Sequence, residues 1–370
     1  MQELLNQLEI QYSKHLPFVV YRKPNTLEIK AILQNDDTVY ITDNFEEEGF
    51  VFSPFDDRDD TIIIPLAASS QVSNSYSDIA IDTEASILGD VLDTDKAFHI
   101  NLVDKGISEI KKGNLQKVVL SRKEEITYSG TDIFSIFKNL VVSYSSAFAY
   151  CWYHPKVGLW LGATPETLLK IEGRHFSIMA LAGTQDYLGT LNVEWQDKEL
   201  QEQQYVTDFI LDSIAPTVAD VKVSGVETVK AGNLLHLRTL IKGNINLQAL
   251  NFKTLLHNLH PTPAVCGLPK DKAKAFILKH ENYDRAFYTG FLGELNFNIK
   301  AKPRTGHRNI ENRAYAMAKK STQLYVNLRC MQIKDSTALL YVGGGITAIS
   351  HPESEWAETV SKSQVVKKVL

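Results

Sequence analysis

The spacing of hydrophobic and polar residues along the 370-residue chain changes period several times. Residues 1–75 read as a helix followed by short strands, with loops at Asn35-Asp36-Asp37 and Asp56–Asp60. Residues 76–114 predict a helix ending at Gly113. From Gln116, KVVLSRKEEITY alternates apolar and polar positions, the period of a half-buried strand. DIFSIFKNLVVSYS predicts a helix with Asp132 as N-cap. AFAYCWYH, VGLWLGATPETLLKIEG and HFSIMALAGT predict strands, the last two joined by a tight turn at Glu172-Gly173-Arg174. Further helices are predicted over 193–215, near 270–281 and after Ser354, and QLYVNLRCMQI and TALLYVGGGI predict two more strands. Strands come in consecutive runs between helices, not in βαβ alternation. That pattern predicts an α+β fold with large, mainly antiparallel sheets flanked by helices.

Composition narrows the function classes. The chain is 44% hydrophobic and 22% charged, as for an ordinary globular enzyme. Its net charge of −5 carries no basic bias toward nucleic acid. Cys151, Cys266 and Cys330 are odd in number and form no CxxC pair, so reduced thiols in a cytoplasmic protein are expected. The N-terminus does not read as a signal peptide, and no run of roughly 18 apolar residues would span a bilayer. The stretch from Lys300 to Lys320 is basic and polar, and predicts an extended surface hairpin or loop.

Gly343-Gly344-Gly345-Ile346-Thr347-Ala348 formally matches the dinucleotide fingerprint GxGxxA. Its context is wrong, because Pro352 delays the following helix and too little chain remains for another βαβ half. The glycines are better read as letting backbone N–H groups approach an anion. Two helices carry acids in line with their apolar stripes. Stepping back from Val206 by three and four lands on Glu202 and Glu199. Stepping back from Val366 and Val365 gives Lys362, Glu358 and Glu355, on a helix that Ser350 to Glu353 could open with a capping box. One such helix would read as a frayed end with exposed ion pairs. Two of them, with too few basic partners in view, point to a hard cation such as Mg2+.

The chain resembles the chorismate-utilising enzymes, and within them the isochorismate synthases. The resemblance runs from about Leu115 to the C-terminus through QKVVLSR, GATPETLL, ALAGT, KELQEQ, LLHLRT, LHPTPAVCGLPK, YDRAFYTGFLG, NLRC and GGGI…ESEWAETVSK. It implies a chorismate-binding fold like that of anthranilate synthase component I, with the active site in a cleft between two halves. Residues 1–110 would be the divergent N-terminal part and 111–370 the catalytic region of one intimately joined structure. The resemblance also implies roles. Lys117 would be the general base and Glu166 the general acid. Glu202 and Glu358 would be direct Mg2+ ligands, with Glu199 and Glu355 acting through metal-bound water. Arg329 would clamp the enolpyruvyl carboxylate. Lys362, Gly183 and Gly343 would surround the ring carboxylate, and Gly344, His236 and Tyr288 would also touch substrate.

The implied reaction explains these residue types. Chorismate is a dianion, so a metal and an arginine fork suit its carboxylates. Water attacks the ring while the 4-hydroxyl leaves, and each proton transfer gains about 10²–10⁴-fold from a positioned side chain. A lysine serves as base only when held neutral, which burial and nearby positive charge favour. A glutamate serves as acid only when desolvation keeps it protonated. Taken singly, Lys117 reads as an edge lysine, Arg329 as a structural ion-pair partner and His236 as a core histidine; their joint occurrence within the motifs favours catalysis. Anthranilate synthases carry glutamine where Lys117 stands, and aminodeoxychorismate synthases carry lysine where Ala182 stands, so both are disfavoured. No glutaminase subunit is then expected. A salicylate synthase, which goes on to eliminate pyruvate, and a non-catalytic paralogue are the alternatives. Menaquinone and catechol siderophores are the two usual destinations of isochorismate, and the sequence does not choose between them.

Overall fold

The computed structural model describes residues 2–75, 93–127, 132–232, 234–246, 250–299 and 319–370. The chain opens with α1 (Gln2–Ser13), β1 (Phe18–Arg22), β2 (Glu28–Gln34), β3 (Tyr40–Ile41), β4 (Gly49–Ser53), β5 (Ile62–Pro65) and β6 (Ser69–Ser75). It continues with α2 (Asp93–Lys111), β7 (Lys117–Thr127), α3 (Ile133–Ser143), β8 (Phe148–His154), β9 (Gly158–Thr164), β10 (Thr167–Glu172) and β11 (His175–Asp186). Then come α4 (Asp197–Ile214), β12 (Val218–Val223), β13 (Glu227–Ala231), β14 (Leu234–Ile245), α5 (Phe252–Leu259), β15 (Gly267–Leu268) and α6 (Lys270–His280). The last elements are β16 (Phe291–Ile299), β17 (Lys319–Val326), β18 (Cys330–Lys334), β19 (Thr337–Ile346) and α7 (Pro352–Lys367).

Two sheets organise these strands. The first has the order β15-β7-β19-β18-β9-β8-β1-β2-β6, and the second β12-β14-β11-β10-β17-β16-β4-β5-β3, with β13 also pairing β14. The described pairings are antiparallel, as the runs of consecutive strands predict. The first 75 residues supply strands to both sheets. Helices cover the outer faces, and the inner faces meet in an aromatic core. β8 shows why its strand reads as one apolar run. Ala149, Cys151 and Tyr153 face α1 and α3, while Phe148, Tyr150 and Trp152 face the other sheet. A strand buried on both sides has no polar face to alternate with.

Several predicted elements hold. Asp132 caps α3 by accepting from Phe134 N, and Gly173-Arg174 forms the two-residue turn between β10 and β11. α2 begins at Asp93, and residues 76–92 of the predicted helix lie outside the described residues, as does nearly all of the charged stretch 300–320. Two predicted single strands are in fact broken. VGLWLGATPETLLKIEG divides into β9 and β10, and QLYVNLRCMQI divides into β17 and β18. In each case one half belongs to each sheet. Pro165 has no N–H for a ladder, and Arg329 adopts a left-handed φ of 49° that a strand cannot continue. The two crossings lie side by side, joined by Val326 N to Glu166 O at 3.1 Å and Ala163 N to Arg329 O at 3.2 Å. The expected capping box at Ser350 is also absent. Pro352 takes the first helical position, His351 becomes the N-cap without a side-chain bond, and Ser350 Oγ accepts from Thr347 N instead. α5 and the strands β12 to β16 were not anticipated.

The inter-sheet core gives a stability test. Phe52 stacks on Phe287 at 4.2 Å and contacts Trp152 at 4.9 Å between ring centroids. Phe52→Ala is expected to lower folding stability by about 3–5 kcal/mol, read as a lower urea midpoint at unchanged slope. An unchanged midpoint would show that this core does not hold the sheets together.

Candidate active site

One cleft, with about 100 Å³ of water-accessible space, opens where the two strand crossings meet α4 and α7. β7 contributes Lys117 and Val119; the β9–β10 crossing contributes Pro165 and Glu166. Gly183 lies at a register shift in β11, and His236 faces it from β14. Tyr288 precedes β16, and Arg329 sits on the other crossing. Gly343 and Gly344 lie near the end of β19, while Glu202 comes from α4 and Glu358 and Lys362 from α7. Eleven of the thirteen sequence-predicted site residues therefore line one cavity, and only Glu199 and Glu355 do not. A larger concavity of about 630 Å³ lies beside His257 and His260, but contains none of them.

Burial separates the two proposed proton carriers. Lys117 is 1% exposed, with Nζ 3.5 Å from Glu202 Oε2. Glu166 is 3% exposed, and its described hydrogen bonds are made by its backbone, N donating to Thr164 Oγ1 and O accepting from Val326 N. Desolvation raises its carboxyl to about 8, with Lys117 pulling the other way. At neutral pH Glu166 is thus mostly protonated and can donate.

Arg329 is held by a defined chain. His236 Nδ1 lies 2.9 Å from Gly183 O, and a carbonyl only accepts, so Nδ1 carries the hydrogen. Nε2 then accepts from Arg329 Nη2 at 2.7 Å, while Arg329 Nη1 donates to Ala231 O at 3.0 Å. Burial, with Arg329 nearby, lowers His236 to about 3, so the imidazole is neutral. Burial lowers Arg329 to about 10, which leaves the guanidinium charged. Gly183 has φ 72°, and a Cβ there would lie 3.0 Å from Glu199 Cβ, so glycine is needed for both reasons.

The acids gather around the backbone of Gly344 and Gly345. A Cβ on Gly345 would lie 3.0 Å from Glu202 Oε2 and from Lys117 Cε, and one on Gly344 would lie 3.5 Å from Glu355 Oε2 and Glu358 Oε1. The expected shortage of basic partners is corrected by the structure. Lys198 pairs with Glu355 at 2.5 Å, Lys362 with Glu358 at 2.7 Å and Lys117 with Glu202 at 3.5 Å. The first of these pairs joins two helices far apart in sequence, so helical periodicity could not reveal it. Lys198 was missed, although it stands four residues before Glu202. Burial tends to lower Lys198, but Glu355, Glu202 and Glu358 outweigh it and push it up to about 12. Burial raises the Glu355 carboxyl, whereas Lys362 and Lys198 overcome burial and hold Glu358 low. Glu199 stays at the rim. It is partly exposed and accepts from Gln196 N at 3.1 Å as the acid of a capping box that opens α4.

Among the described residues, no three acid, histidine or cysteine side chains stand close enough to hold a cation as placed. The donor set nevertheless suits a hard cation. It consists of carboxylates, and Glu355 Oε2 is buried without a hydrogen-bond partner; Ser350 stands near it without hydrogen-bond geometry.

Known proteins show the family and the fold to which this chain is similar. A family model described as chorismate binding enzyme matches residues 54–302, and a second with the same description matches residues 314–368. The isochorismate synthase DhbC of Bacillus subtilis (strain 168) is 27% identical over 289 residues, covering 73% of this chain and 67% of that protein. The crystal structure of a putative 2,3-dihydroxybenzoate-specific isochorismate synthase, DhbC from Bacillus anthracis, superposes with a TM-score of 0.75 at 23% identity, covering 98% of each chain. The menaquinone-specific isochorismate synthase MenF from Escherichia coli superposes with a TM-score of 0.75 at 19% identity, covering 96% of this chain and 88% of that one. At these identities the two structures share the fold of this chain.

The state of Glu166 can be observed directly. In the ligand-free protein, the infrared carbonyl stretch of a buried protonated carboxylic acid should be present at pH 6 and fade as pH rises through about 8. Glu166→Gln should remove it. A Glu166 already ionised at pH 6 would rule out its role as an acid.

Proposed function

The chain belongs to the chorismate binding enzyme family, and on that premise we propose that it is an isochorismate synthase: an isomerase that moves the ring hydroxyl of chorismate with the help of Mg2+. The observation that carries this reading is the pairing of a buried lysine with a protonated buried glutamate in one cleft. Lys117 takes a proton from water as the oxygen bonds to the ring. The ring double bonds shift, the bond to the 4-hydroxyl breaks, and Glu166 gives its proton so that water leaves. One water enters and one leaves, so the substrate is isomerised and neither hydrolysed nor oxidised.

The other residues bind and orient. Arg329, its fork aimed by neutral His236, suits the enolpyruvyl carboxylate. Lys362 donates to Gly343 O at 2.9 Å, which places its ammonium beside the glycine backbone where the ring carboxylate would lie. Glu202 and Glu358 would hold Mg2+, with Glu355 the nearest supporting acid and Glu199 more remote. The ion would neutralise substrate charge as a Lewis acid. Lys117, Lys198 and Lys362, which pair with these acids, would share the carboxylate oxygens with the ion. The protein acts as a single chain without a glutaminase, because water is its nucleophile. Among the described residues no helix is long and apolar enough to cross a membrane, in keeping with an enzyme of the cytoplasm.

Incubation with chorismate and Mg2+, followed by product separation, tests the proposal. Isochorismate should accumulate; salicylate with pyruvate, or no turnover, would sink it. Lys117→Gln should keep chorismate binding within a few-fold while lowering kcat by about 10²–10⁴. Glu166→Gln should do the same and should also abolish the loss of kcat expected of the parent as pH rises above about 8. Near-parental turnover by Lys117→Gln would remove the lysine from the mechanism.

A further inference from the structure

β7 turns Lys117 and Val119 into the cleft. The period-two alternation of a strand puts Arg122 and Glu124 on its other face, together with Val118 and Leu120, which pack under α2. Both are buried, at 6% and 5% exposure, and neither lines the cleft. Arg122 Nε donates to Thr359 Oγ1 of α7 at 2.9 Å, and its guanidinium lies 4.6 Å from the centre of the Trp356 ring. Arg122 Nη1 donates to Glu124 at 2.9 Å, and the other oxygen of Glu124 pairs with Lys367 in the last turn of α7. One strand thus grips α7 in its first half and at its end.

We propose that Arg122, acting with Glu124, is a positioning residue that fixes the rotation and axial position of α7 relative to Lys117. The face of α7 next to the gripped residues carries Glu355, Glu358 and Lys362. A slip of one residue would move those groups about 1.5 Å along the axis and about 100° around it. Aliphatic contacts alone tolerate such slips, whereas a guanidinium with directed partners does not. A buried charge network adds little net stability over apolar groups of the same shape. Its use here is register: it ties the base on one face of β7 to the acids reached from the other. The proposal rests on the metal role given to α7 above.

The test uses the full chain with Mg2+ and chorismate. Arg122→Met should weaken Mg2+ binding, measured by calorimetry, by about 10-fold or more and lower kcat by about 10–100-fold. Arg122→Lys should recover part of both losses. Thr359→Val, a near-isosteric change, should move both readouts in the same direction by less, and it decides the matter if Arg122→Met does not fold. In a Glu358→Gln background, Arg122→Met should weaken Mg2+ binding no further, because both changes act through one acid. If the variants only lower the melting temperature and keep parental Mg2+ affinity and kcat, the proposal is wrong; additive losses in the double variant would also overturn it. If the parent itself binds no Mg2+, the metal assignment fails instead, and the clamp is judged on kcat.

Discussion

Burial of both sheets on both faces is the constraint on which the rest of the structure depends. Helices close the outer faces and aromatic rings fill the space between the inner ones, so the central strands have no wet side. Ionisable groups fit in such an interior only where they find partners. The seam where β9 passes into β10 and β17 into β18 provides that place. Regular pairing is interrupted there, side chains can turn toward a cleft, and the two interrupted segments support each other through backbone bonds. Glu166 and Arg329 stand at the two interruptions.

The same dryness sets the chemistry. Glu166 has no strong charge partner close enough to keep it ionised, so burial leaves it holding a proton. His236 is buried beside a guanidinium and stays neutral, which makes it an acceptor for Arg329 and not a competing cation. Glu202, Glu355 and Glu358 are tolerated because a lysine reaches each of them. Under the proposed function, a dianionic substrate arriving with a divalent cation would add no net charge to the site.

Much of this was legible along the chain. The α+β class follows from runs of strands between helices, and the inward acids of α4 and α7 follow from stepping back along apolar stripes at helical spacing. The N-cap of α3 and the turn at Gly173-Arg174 are local chemistry, and local chemistry is readable. The individual roles of Lys117, Glu166 and Arg329 were not readable from pattern, since a lysine on a strand or an arginine after one is ordinary. They came from resemblance to known enzymes, and the fold places them in one cleft.

The sequence by itself determined the alternating strands, the helices with their acids, and the residue types the reaction needs, because these depend on neighbours within a few positions. The tertiary structure alone decided that two apparent strands are each divided between sheets, that Lys198 answers Glu355, that Glu199 serves a helix cap at the rim, and that Arg122 grips α7. Each of these depends on groups brought together from distant parts of the chain. Periodicity reports which face a side chain takes, but not what stands opposite that face after folding.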